Sequence, residues 1–226
     1  NLVLLFDFSI YEIAHILTSK EAYYDKPIHR SLNIKSFHEP LERLMDKIAG
    51  KIGYYKPIFS PLFNKLISEN NGFNFSLVQN IIQESKIEAS CISALYACFN
   101  CSSIPMIYIE ADMGYKKEEA KEVKYGSLFG EEYLPLPKLR VIKVKNNEPS
   151  KRIRFNIHKN MEVPEDSVIY KIYNKINNLL EGHEETAIEN LQIWKHSDGS
   201  VCGNTEYKIN VKIYNKSIIA ILSKQK

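Results

Sequence analysis

The sequence predicts an α/β fold, with a Rossmann-like, mostly parallel sheet, flanking helices and a small α+β C-terminal module. Two short apolar runs rich in β-branched residues, Ser76 to Ile82 and Ile104 to Ile109, are typical of buried strands. The segment between them, Ile87 to Phe99, is apolar on nearly every side at helical spacing, which indicates a buried helix. Strand, helix and strand in this order predict a βαβ unit, whose first turn is where a parallel sheet places ligand chemistry.

The residues before this unit supply further elements of the predicted sheet and its helices. Leu2 to Phe6 forms a compact apolar strand, and Ser9 suits the N-cap of the short helix that follows. Apolar side chains recur at helical spacing from His38 to Lys51 and again after Pro61. We therefore expect a strand and three helices ahead of Ser76.

Composition describes an ordinary globular chain. Its 226 residues are 44% hydrophobic and 25% charged, with a net charge of +3, so overall charge does not argue for nucleic acid. No apolar run approaches the ~18 residues of a membrane span, and the N-terminus lacks the features of a signal peptide. Four cysteines, three of them in the predicted buried helix and at its end, favour a reduced, cytoplasmic protein. Cys98-x-x-Cys101 is a single pair with no second pair and no nearby histidine, so we expect no metal and no cofactor.

The predicted domains are residues 1–145 and 151–226. Asp112 to Lys124 is either a loop or a solvated helix, and Leu139 to Val144 is a strand. The polar segment Lys145 to Lys151 then marks the boundary. In the tail we expect helices over Glu165 to Leu180 and Glu184 to His196.

A β-hairpin completes the tail. Tyr207 to Ile213 alternates apolar and polar residues, which predicts a strand with one wet face, and Ile218 to Leu222 follows after a turn. Two helices and a hairpin carrying Lys208, Lys212 and Lys216 suggest a winged helix whose wing touches DNA phosphates. The alternative is a small dimerisation or packing module.

The first turn of the predicted βαβ unit, Asn80-Ile-Ile-Gln-Glu-Ser-Lys86, precedes an Ala/Cys-rich helix and a strand ending in Tyr108-Ile-Glu110. This pattern resembles the CARF (CRISPR-associated Rossmann fold) domains, most closely the archaeal members fused to a winged helix. The resemblance covers about residues 1–145. Gln83-Glu84 stands where the family pattern has two glycines, and Glu84 would oppose a bound phosphate.

The resemblance implies a homodimeric sensor in antiviral defence that binds a cyclic oligoadenylate across its dimer interface. In some members a ribose 2′-OH attacks its own phosphodiester, so slow, metal-independent ring cleavage is a further expectation. Carried over by position, Ser85 and Lys86 would be catalytic, and Lys86 could stabilise developing phosphorane charge. The ligand-binding set implied by the resemblance is Phe8, Ser9, Asn80, Gln83, Ser85 and Lys86.

Two further functions come from other parts of the sequence. A DNA-binding regulator would use the tail on DNA and the N-terminal domain for dimerisation. A metal-dependent nuclease would use Asp112, Glu122 and Lys124, whose Asp…Glu-x-Lys pattern matches sites in which carboxylates hold Mg²⁺ beside a lysine. That pattern is short and common, and the charged run around Glu122 is also typical of a solvated helix face.

Overall fold

The structure is a computed structural model that describes residues 48, 50–70, 72–85, 91–125, 135–153, 155–215 and 217–224. Its contacts divide the chain into two compact units. The first comprises residues 1–71 and 76–101, and the second comprises residues 72–75 and 102–226. Residues 145–151, where we expected a domain boundary, lie inside the second unit.

The described part of the first unit is helical. Helix α1 spans Lys56–Glu69, α2 spans Phe75–Ser85 and α3 spans Cys91–Cys101. Helices α1 and α3 pack against each other, and both bury apolar side chains. The helix expected from Ile87 to Phe99 is therefore present as α3 over its described residues, and Ile87 to Ser90 lie outside them.

The strand expected over Ser76 to Ile82 is wrong, because this segment belongs to α2. Burial in α2 has the period of a helix: Val78 and Ile81 are fully buried, while Gln79 and Asn80 are exposed. Val78, Ile81 and Ile82 stand at i, i+3 and i+4, so the helical pattern is present in the sequence. A short β-branched run cannot be distinguished from a helix by composition alone.

The second unit is built on a five-stranded sheet in the order β2-β1-β5-β4-β3, and every neighbouring pair is antiparallel. The predicted Rossmann-like, mostly parallel sheet is therefore wrong. The run that follows the buried helix is a strand, but it pairs with β2 and β5 in antiparallel fashion. The strands are β1 Met106–Gly114, β2 Lys138–Asn146, β3 Glu184–Asn190, β4 Glu206–Tyr214 and β5 Ser217–Ser223.

Within the described ranges, three helices and two 3-10 turns lie between these strands. The helices are α4 Lys117–Tyr125, α5 Glu148–Lys151 and α6 Val168–Asn174, and the turns are Ile176–Asn178 and Leu191–Ile193. The second tail helix expected over Glu184 to His196 is wrong, because β3 and a 3-10 turn occupy that segment. Among the described residues, no helix has the length and apolar character needed to cross a bilayer.

One face of the sheet carries the hydrophobic core of the second unit. Trp194 and Ile169 are fully buried there, packed with inward-facing residues of β1, β2, β4 and β5. The opposite face of β4 is not wet as predicted: Asn210 is 0% exposed and Lys212 is 7% exposed. The predicted hairpin itself is present as β4 and β5, and Asn215 supplies the positive φ of 51° that its tight turn needs.

Candidate functional site

Three of the ligand-binding residues implied by the resemblance lie on α2, where Asn80 and Gln83, three positions apart, share one face. Asn80 and Gln83 are exposed on α2, and Ser85 is the last residue of that helix. Phe8, Ser9 and Lys86 lie outside the described residues. Because this segment is a helix, it does not provide the strand end and phosphate-binding turn on which the expected roles depend.

The nuclease residues are also not arranged as the chemistry requires. Glu122 and Lys124 are both exposed on α4, where residues two apart point about 200° from each other, whereas a strand would place them on one face. Asp112 lies on β1, and its Oδ1 accepts a hydrogen bond from the backbone N–H of Met113. The described ranges contain no group of His, Cys, Asp and Glu side chains that could hold a metal.

The lysines of the hairpin do not form an exposed wing. Lys212 is buried, with its Nζ 5.8 Å from the ring centroid of Phe75 in the same unit. Lys208 is half-buried on the same sheet face, and Lys216 lies outside the described residues. The described geometry therefore gives this hairpin no open row of phosphate-binding cations.

A cleft of about 820 Å³ runs alongside β2 in the second unit. One wall is the segment 158–166, the other wall is the segment 193–197, and Arg140 lies between them with Lys116 and Glu118. We call it the β2 cleft. Its size is typical of a small-molecule site, and it combines charged side chains with an apolar strip.

The first wall is held against β2 by backbone hydrogen bonds. The Val141 N–H donates to the Met161 carbonyl (2.9 Å), the Asn160 N–H donates to the Val141 carbonyl (2.7 Å), and the Val163 N–H donates to the Leu139 carbonyl (2.9 Å). This short antiparallel pairing brings Arg140 opposite Glu162. The cleft therefore rests on a sheet edge that is already paired, which gives it a rigid wall.

Arg140 is the buried charge of the cleft. Its side chain is 3% exposed, and its Nη2 lies 3.2 Å from Oε2 of Glu119 on α4. Its Nη1 donates to the Asn160 carbonyl (3.3 Å), but its Nε has no hydrogen-bond acceptor among the described residues. A guanidinium has five N–H donors, so Arg140 is held in place by two partners without being saturated.

Most other charged side chains of the cleft have no ion-pair partner. Lys138, outside the cleft, pairs with Glu162 at 2.9 Å. Within the described part of the chain, no salt bridge within 4.0 Å involves the remaining charged cleft residues, which are Lys116, Glu118, Lys159, Glu165, Asp166 and Lys195. These groups are oriented around a common space, and none is neutralised by another.

At one end of the cleft two imidazoles lie side by side. The ring centroids of His158 and His196 are 5.7 Å apart, and Nε2 of His196 lies 3.7 Å from Sγ of Cys202. Burial raises the pKa of the Cys202 thiol to about 11, so this cysteine stays protonated at neutral pH. Cys202 is therefore a buried packing residue beside the cleft, with a thiol of low reactivity.

The sequence contains one signal for this cleft. Arg140 stands between Leu139 and Val141 in an apolar strand, and all three residues are buried. A buried arginine requires an ion-pair or hydrogen-bond partner, so it indicates a place where the fold brings polar groups together. The walls could not have been predicted, because they come from segments about 20 and 55 residues further along the chain.

A scan of the chain against protein-family models finds no match, and a search of curated proteins finds no similar sequence.

Proposed function

We propose that the second unit is a binding domain that takes a small charged molecule in the β2 cleft, and that the chain acts as a binding or sensor protein. The observation that carries the proposal is the set of charged cleft side chains that no neighbour neutralises. Surface charges are usually dispersed, whereas these exposed side chains line one cleft. A ligand of complementary charge would be steered to them, and the electrostatic energy gained would offset the cost of ordering the side chains.

Arg140 supports the same proposal. The Glu119 carboxylate and the Asn160 carbonyl fix its guanidinium, so the ordering entropy of its long side chain is already spent before a ligand arrives. Because its guanidinium is nearly fully buried and already paired with Glu119, Arg140 holds the cleft in place, and the exposed Lys116, Lys159 and Lys195 would supply the attraction for a ligand.

The functions expected from the sequence differ in how well they fit this cleft. Cyclic oligoadenylates belong to the broad class of charged ligands, so they remain worth testing, although the turn expected to bind them is a helix. Homodimerisation and DNA binding remain predictions from the sequence. The buried face of β4 gives the DNA hypothesis no support.

The test is thermal unfolding of the purified protein with a panel of probes: inorganic phosphate, pyrophosphate, AMP, trialanine, and cyclic tri-, tetra- and hexa-adenylate. A ligand present at 100 times its Kd stabilises the folded state by about 2.7 kcal/mol, which raises Tm by several degrees. We expect at least one probe to do this. The shift should be lost in the triple variant Lys116→Gln, Lys159→Gln and Lys195→Gln.

A matched control separates a site from general charge. The triple variant Lys171→Gln, Lys175→Gln and Lys224→Gln removes the same charge from exposed positions outside the cleft. We expect this control to keep the ligand-induced shift. If both triple variants lose it equally, the ligand responds to net charge only, and if no probe shifts Tm, the proposed function is wrong.

A further inference from the structure

The charges of the β2 cleft are separated along its length. His158, Lys159, Lys195 and His196 lie together at one end, because the two histidine rings are in contact and each lysine adjoins one of them. The segment then runs antiparallel to β2, with residue 160 beside Val141 and residue 163 beside Leu139. Beyond that point the chain reaches Glu165 and Asp166, which face the same cleft. Along the two walls, one end is therefore basic and the other acidic, while Lys116 and Glu118 contribute one charge of each sign.

The distance between the ends follows from strand geometry. Three residues separate Asn160 from Pro164, and an extended chain advances about 3.3 Å per residue, so the two ends are about 10–13 Å apart. The strip between them contains apolar side chains, namely Met161, Val163, Pro164 and Ile193. A matching ligand carries an anion and a cation about this far apart, with apolar groups between them.

We infer that the ligand of the β2 cleft is a short peptide of three or four residues with free termini. Its α-carboxylate lies among His158, Lys159, Lys195 and His196, and its α-amine lies beside Glu165 and Asp166. An extended peptide spans at most about 3.3–3.6 Å per residue, so three or four residues match the separation of the ends. This inference rests on the proposed function, since it specifies the ligand of the same cleft.

The middle of the cleft is electrically balanced. Arg140 lies between the two ends, opposite Glu162, with its side chain buried and paired with Glu119, and Glu162 is paired with Lys138. This balance suits the uncharged backbone of a peptide, whose charges are at its two termini. A simple inorganic anion would satisfy the basic end only and leave Glu165 and Asp166 without a counterion.

The test is isothermal titration of the full chain with four probes: trialanine, N-acetyl-trialanine, trialanine amide, and the peptide blocked at both ends. Two exposed ion pairs at each end together give about tenfold in affinity. We expect each single block to weaken binding about tenfold, and the double block to abolish measurable binding. Equal affinity for all four probes would overturn the inference.

Variants at each end assign the orientation. Glu165→Gln with Asp166→Asn should weaken trialanine about tenfold and leave the N-acetylated peptide unchanged, because its amine is already blocked. Lys159→Gln with Lys195→Gln should weaken trialanine about tenfold and leave trialanine amide unchanged, because its carboxylate is already blocked. The control Glu185→Gln with Glu206→Gln removes two exposed carboxylates on β3 and β4 and should change nothing.

The outcomes distinguish this inference from the proposed function. If pyrophosphate or AMP binds in a manner that depends on Lys159 and Lys195 but no peptide binds, the peptide assignment is wrong and the site remains. If neither the peptides nor any charged probe binds, both are wrong. If trialanine binds, and the variants at each end weaken only the peptides whose matching terminus is free, the ligand is a peptide with both termini bound.

Discussion

The indole Nε1 of Trp194 donates a 2.7 Å hydrogen bond to Oε1 of Glu189, and both residues are buried. The other oxygen of Glu189 accepts from the Ser167 hydroxyl at 2.9 Å and from the Val168 N–H at 3.1 Å. One carboxylate thus joins β3, the 3-10 turn that leads into a cleft wall, and the first turn of α6. Because all three donors are fixed by the fold, the charge is stabilised without a cation.

We predict that Glu189→Gln destabilises the protein by about 2–4 kcal/mol. A glutamine amide can accept from Ser167 and Val168 only if its NH₂ group faces the Trp194 N–H, which leaves two donors opposed and unpaired. Urea denaturation followed by Trp194 fluorescence measures the change. Glu185→Gln, an exposed site on the same strand, is the control and should stay within about 0.5 kcal/mol of the wild type.

Asn147 should be a second sensitive position. Its Oδ1 accepts from the N–H groups of Met106 and Ser150 at 3.0 Å, and its Nδ2 donates to the Ile104 carbonyl at 2.8 Å. Asn147→Ala would leave the buried Met106 N–H without that acceptor and remove the cap of α5, at a cost of about 2–3 kcal/mol. The check is the urea midpoint. A loss below about 0.5 kcal/mol, as expected for the exposed Asn178→Ala, would show that water replaces these bonds.

The Arg140–Glu119 pair should behave as a coupled unit. Glu119→Gln leaves the buried Arg140 guanidinium without its counterion and should cost about 3 kcal/mol, whereas Arg140→Met should cost less because the Glu119 carboxylate left unpaired is partly solvated. In the double variant Arg140→Met with Glu119→Gln, the loss should be smaller than the sum of the single losses. A double-mutant cycle from urea titrations measures the difference. Additive losses would mean that the pair contributes no coupling.

The Cys202 thiol predicts a loss of stability in alkali. Its folded pKa, raised to about 11 by burial, exceeds the unfolded value of about 8.5–9. Between these values the folded state retains a proton that the unfolded state has lost, so the free energy of unfolding falls as pH rises through this window, by up to about 2–3 kcal/mol.

The measurement for Cys202 is urea denaturation at several values from pH 8 to about pH 11. Cys202→Ser should reduce the alkaline slope, because a serine hydroxyl does not titrate there. The control Cys91→Ser, at a half-buried position in the first unit, should leave the slope unchanged. Equal slopes for the wild type and Cys202→Ser would contradict the prediction.

Local patterns predicted several elements but not their arrangement. Alternation along Tyr207 to Ile213 gave the correct strand, and the apolar stripe after Ser167 gave the helix that begins at Val168. The segment Glu184 to Asn190 has strong helix formers, yet it is a strand, because pairing with β4 and the buried contacts of Glu189 outweigh weak intrinsic propensity. Such long-range pairing leaves no mark within a local window.

The prediction of a site at Asn80 to Lys86 rested on one such local assignment. A strand over Ser76 to Ile82 implies a parallel sheet and a phosphate-binding turn at Asn80 to Lys86, so both of these predictions depended on that one assignment. The structure makes this segment a helix and gives the strand Met106–Gly114 antiparallel partners from residues 138–146 and 217–223. The β2 cleft depends on contacts between Arg140, the segment 158–166 and the segment 193–197, which no local spacing could reveal.

The most direct test of the central claim is a ¹H–¹⁵N NMR titration of the full chain, with pyrophosphate and, separately, trialanine as probes. If the β2 cleft is the binding site, saturable shift changes should be concentrated in residues 139–141, 158–166 and 193–197 for at least one probe. Changes confined to other regions, such as the surface around Asn80 and Gln83, would contradict the account, as would two probes that leave these amides unmoved.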